Sequence, residues 1–132
     1  MAFIGQLKYE KIKDKKSFVG QPTYKLTQEF AYITDIVPGL NPEYKIVCEK
    51  GFETDFASVP SWIFFLRPRN GKWAKASVIH DRACHLASNK VLSYKTADRI
   101  FYYAMLEDEA SQFTANFMYF WVRLNHLVVG KG

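Results

Sequence analysis

The chain has 132 residues, of which 48 % are hydrophobic and 23 % charged, a size and balance that fit one globular domain able to bury a core without staples. Only Cys48 and Cys84 are present, so no disulfide framework is implied, and synthesis in a reducing compartment is expected. The net charge is +5, yet Glu10 and Asp14 interrupt the early run Lys8, Lys11, Lys13, Lys15 and Lys16, and no arginine run with interleaved aromatics follows; nucleic acid is set aside as primary partner.

Residues 1–7 carry no basic-then-apolar leader pattern. Loose alternation around Leu7, Tyr9 and Ile12 predicts a first strand over 6–12, closed by a polar turn at Asp14-Lys15-Lys16-Ser17. The clearest alternation follows Pro22. Tyr24, Leu26, Phe30 and Tyr32 fall on one side, Lys25, Thr27 and Glu29 on the other, as in a half-buried antiparallel strand. Pro38-Gly39 and Asn41-Pro42 mark a turn, Tyr44, Ile46 and Cys48 another strand, and Lys50-Gly51 a tight turn.

Residues 54–72 form a joint. Thr54-Asp55-Phe56-Ala57-Ser58-Val59-Pro60 is rich in side chains that bond nearby backbone N–H groups, and Pro60 suits the start of a short helical turn over 60–65. Asp55 and Ser58 either cap that corner or point into a cleft between layers.

From residue 73 the period becomes helical. A first helix spans 73–87 and ends at Ser88-Asn89-Lys90. Ser93 caps a second over 94–108, whose buried stripe is Ala97, Ile100, Phe101, Ala104 and Met105. Ser111 caps a third, with the stripe Phe113, Phe117, Phe120, Trp121, Leu124 and Val128, ended by Gly130. Asn116, Arg123, Asn125 and His126 make this last stretch too polar for an ordinary membrane span. The expected fold is α+β: residues 1–53 form an antiparallel sheet, 54–72 the motif loop, and 73–130 three helices packed against the sheet, all in a single domain.

Three groups carry chemistry. On the first helix His80 shares a face with Cys84, and Asp81 with His85; either pair could seed a metal site, and His80-Asp81 could equally serve as an acid/base pair. Asp98 lies near the apolar edge of the second helix, where an unpaired charge is expensive. Its expected partner is His80 or Arg123, since Arg99 points elsewhere. Asp55 supplies a further carboxylate.

These islands, in this order, resemble domain-of-unknown-function family 1353, found in tailed phages and prophages. The resemblance rests on Gly51-Phe52, Thr54 to Pro60, Ala76 to Asp81, Ala97-Asp98, Phe101 and Ala104-Met105, and covers roughly residues 50–125. Asp55, Ser58, His80, Asp81 and Asp98 all match its pattern. Where the family often continues His-Asp with an aromatic, Leu and Tyr, this chain has Arg82, Ala83, Cys84 and His85.

The resemblance implies a phage or prophage protein made in the host bacterial cytoplasm. One expectation is a virion, tail or assembly component, carried in the virion, with other phage proteins as partners. Phe117, Trp121 and Arg123 would then form a contact surface. The alternative is a small metal-dependent hydrolase acting on a cell-wall peptide or a nucleotide. In it Asp55, Ser58, His80 and Asp81 are catalytic, and His80, Asp81 and Asp98 hold one divalent ion, Zn or Mn.

Overall fold

A computed structural model describes residues 1–16, 22–37, 43–54 and 73–131. Six strands precede three helices: β1 Ala2–Ile4, β2 Tyr9–Lys16, β3 Pro22–Leu26, β4 Phe30–Thr34, β5 Tyr44–Cys48, β6 Glu53–Thr54, α1 Ala74–Ser88, α2 Tyr94–Glu107 and α3 Gln112–Val128. The α+β class stands, with one change. The strands form two small antiparallel sheets rather than one, in the orders β1-β4-β5 and β2-β3-β6.

The division falls inside the run expected to be a single strand. Leu26 N–H donates to the Phe52 carbonyl and Thr27 N–H to the Lys8 carbonyl, tying the end of β3 to its own sheet. A bend at Thr27-Gln28 follows, held by Gln28 Nε2 donating to the Gln6 carbonyl at 2.9 Å. The chain re-enters as β4, the central strand of the other sheet. Phe30, Ala31 and Tyr32 are all buried there, so polar alternation ceases once both faces are covered. On its neighbours, Tyr32 sits opposite Phe3 of β1 and Ile46 of β5. The Phe3 ring lies 5.6 Å from Phe30 and 5.0 Å from Tyr32, which explains why the short β1, unexpected from sequence, is held in place.

The polar turn expected at 14–17 is also corrected, because β2 continues to Lys16. Its ladder with β3 shifts register between Lys11 and Lys16, and Lys15 reaches Glu53 of β6 at 2.5 Å. The turn at Gly51 is as expected. Its φ of +90° favours a residue without a Cβ, and its N–H donates to the Leu26 carbonyl.

α1 packs on β5 and on α2, and α2 packs on α3. Alanines at 74, 76, 83 and 87 bring α1 close to its neighbours, and Arg82 Nε donates to the Val47 carbonyl of β5 at 3.0 Å. Every residue of the stripe expected on α2 is buried. Ser93 and Ser111 accept from Thr96 N–H and Thr114 N–H, capping α2 and α3.

The stripe expected on α3 is wrong. The helix buries Ala115, Met118 and Val122, while Phe113, Phe120, Leu124 and Val128 face solvent. The cause is Asp98, whose bonds draw Arg123 and His126 inward. A buried carboxylate left without partners costs more than exposing phenylalanine. None of the described helices is long and apolar enough to cross a membrane.

Candidate metal centre

The site forms where three helices meet. α1 contributes His80 and, one turn later, Cys84; α2 contributes Asp98; α3 contributes Arg123 and His126, three apart and therefore on one face. Asp98 is the hub and is fully buried. Its Oδ1 lies 2.7 Å from His80 Nε2. Its Oδ2 accepts from Arg123 at 3.0 Å and lies 2.7 Å from His126 Nδ1. The Cys84 sulfur faces both imidazoles, 3.3 Å from His80 Nε2 and 3.9 Å from His126 Nε2. Behind His80 the Phe101 ring stacks at 4.6 Å, fixing the imidazole plane.

Electrostatics follow from this packing. Burial would push the Asp98 carboxyl up, but hydrogen bonds from His126 and His80 and their charges hold it at about 2. Burial would likewise raise the Cys84 thiol, yet the two imidazoles bring it down to about 7. The His80 ring, which burial would deprotonate, is held charged to about 10 by the Cys84 thiolate and by Asp98. His126 rises to about 9, first through its bond to Asp98 and then through Cys84. The other thiol, Cys48, contrasts with Cys84: burial pushes it up to about 12.

His80, Cys84, Asp98 and His126 each offer one ligand atom, and these atoms all lie within 4.8 Å of one another. Tetrahedral zinc, with bonds of about 2.0–2.3 Å, places its ligand atoms roughly 3.3–3.7 Å apart. The observed separations, from 2.7 Å to 4.8 Å, bracket that spacing. Two imidazoles, a thiolate and a carboxylate suit zinc and are too soft a set for manganese. The charge also fits. The Cys84 thiolate and the Asp98 carboxylate bring two negative charges, which a divalent cation binding in place of the imidazole protons would balance. Asp98 Oδ2 bonded to His126 Nδ1 is the carboxylate–histidine arrangement that orients a metal-binding ring.

The centre opens on one side to a cleft of about 380 Å³ lined by His80, Asp81, Cys84, Trp121, Val122, Asn125 and His126. Of the residues expected from sequence, His80 and Asp98 are brought together. Asp81 lies in the cleft wall and is not one of the four clustered donors. Asp55 and Ser58, expected to be catalytic, lie outside the described residues, as does the turn over 60–65. Arg123, expected both as a candidate partner of Asp98 and on a contact surface with Phe117 and Trp121, turns inward to Asp98, and the Phe117 and Trp121 rings are half-buried against the core. His126 was missed. Its signal is the pair Arg123 and His126, two basic side chains three apart in an otherwise uncharged helix.

A sequence model described as "Protein of unknown function (DUF1353)" matches residues 24–122. No curated protein and no solved structure matches the chain.

Proposed function

The chain belongs to the DUF1353 family, and within it we propose that this member is a zinc-dependent hydrolase. The carrying observation is the convergence of His80, Cys84, Asp98 and His126 from three helices beside an open cleft. Held by His80, Cys84 and His126, with the Asp98 carboxylate giving way to water or substrate, zinc would supply Lewis-acid polarisation of a scissile carbonyl or phosphoryl group. The chain's own residues do the rest. Asp98 Oδ2 presents His126 Nε2 toward Cys84, and Arg123 donates to the same oxygen and anchors it. Asp81, in the wall of the same cleft, is the group assigned to accept a proton from attacking water. Trp121 and Asn125 shape the entrance, with Asn125 Nδ2 donating to the Trp121 carbonyl at 2.9 Å.

The test compares zinc-loaded and chelator-stripped protein on purified cell-wall peptide and on nucleotides, scoring release of amine or phosphate. Metal-dependent release that His126→Ala and Asp81→Asn both abolish supports the proposal. Equal inactivity of loaded and stripped protein on both substrate classes contradicts it.

A second reading, a tailed-phage or prophage component working with other phage proteins in the virion, is supported by the motif resemblance and by the exposed apolar residues of α3. Antibody detection of the chain in purified particles tests it. Its restriction to the lysate of infected cells would count against it.

A further inference from the structure

We infer that α3 is the interface of a two-fold homodimer of this chain. The helix carries two apolar stripes on opposite sides. One, Ala115, Met118 and Val122, meets the core. The other, Phe113, Phe120, Leu124 and Leu127, spaced seven, four and three residues apart, lies about half a turn away by the helical rotation of ~100° per residue. Its members are solvent-exposed, Phe113 at 80 %, Phe120 at 64 % and Leu127 at 58 %. A helix with two opposed apolar stripes, one of them already buried, leaves the other for a partner.

Extent and charge identify the occupant as a second copy. With Val128 at its edge the stripe presents on the order of 600 Å² of apolar surface, at the upper end of what a monomer leaves bare. A standard interface needs about 800 Å² per partner, of which this stripe alone would make the larger part. Between Gln112 and Val129 the charged side chains are Arg123 and His126, and both are turned inward to Asp98. Two molecules of charge +5 can therefore approach along this face without setting like charges against each other. The same lack of charge disfavours a membrane surface, because interfacial helices carry lysine and arginine on their polar side. Identical stripes related by a two-fold axis are self-complementary and close the assembly at two.

Sedimentation equilibrium of the purified full chain tests this, with Phe120→Asp as the disrupting variant and Val91→Asp, on an exposed apolar residue of the α1–α2 connection, as control. The expected result is twice the chain mass of 15.3 kDa for wild type and control, and 15.3 kDa for Phe120→Asp with an unchanged circular dichroism spectrum. A wild-type mass of 15.3 kDa up to the solubility limit would overturn the dimer. So would open-ended association, equal dissociation of the control, or a monomer that co-sediments with anionic vesicles. If Phe120→Asp fails to fold, Leu127→Lys at the other end of the stripe gives the same reading.

Discussion

Asp98 makes three contacts at two oxygens from a position with no solvent exposure, with partners from two different helices. Removing it leaves three cationic groups, Arg123, His80 and His126, facing the single negative charge of the Cys84 thiolate. In metal-free protein Asp98→Ala should therefore cost about 3–5 kcal/mol in urea unfolding. A loss below about 1 kcal/mol would mean that the carboxylate does not organise the three helices. The two thiols give a separate check. In metal-free protein at pH 8, Cys84, lowered to about 7, should be alkylated by iodoacetamide, while Cys48, pushed up to about 12, stays intact. Peptide mapping distinguishes them, and equal labelling of both would contradict the assigned environments. At this scale the sequence exposes Asp98 clearly, because an acid on an apolar stripe demands partners. His126 is harder to read, since its contact with Asp98 spans 28 residues and its local mark is its place three residues after Arg123.

Among the elements, α2 carries the hub, and its start is set by Ser93, which accepts from Thr96 N–H at 3.0 Å. Ser93→Ala should cost about 0.5–2 kcal/mol, read as a fall in the urea midpoint at unchanged slope. No shift would show that packing alone fixes the helix start. Helix α2 is legible because core contact dictates one stripe and the stripe matches the 3.6-residue period, whereas α1 is covered on more than one side, with Ala76 to His80 buried in succession. On α3 the most apolar stripe is not the buried one, since two polar contacts to Asp98 set the rotation of the helix. The strands were less legible. The alternation from Tyr24 to Tyr32 continues in register through a bend that only long-range bonds to Lys8, Phe52 and Gln6 reveal. A two-sided strand such as β4 has no alternation to read.

For the whole molecule, the proposed metal centre draws its donors from α1, α2 and α3, so an ion bound there should act as a staple on the helical layer. Zinc at a hundred times its dissociation constant should stabilise by about 2.7 kcal/mol, on the order of 10 °C in the unfolding midpoint for a chain of this length. Chelation should reverse the shift. The decisive measurement is anaerobic titration of metal-free protein with Co²⁺, followed by optical absorption, on wild type, Cys84→Ser and His126→Ala. The account predicts saturation at a single equivalent in wild type, with a thiolate-to-cobalt charge-transfer band that is absent in Cys84→Ser and affinity at least tenfold weaker in His126→Ala. Wild-type spectra that never saturate, or a band that persists in Cys84→Ser, would contradict a metal centre built from His80, Cys84, Asp98 and His126.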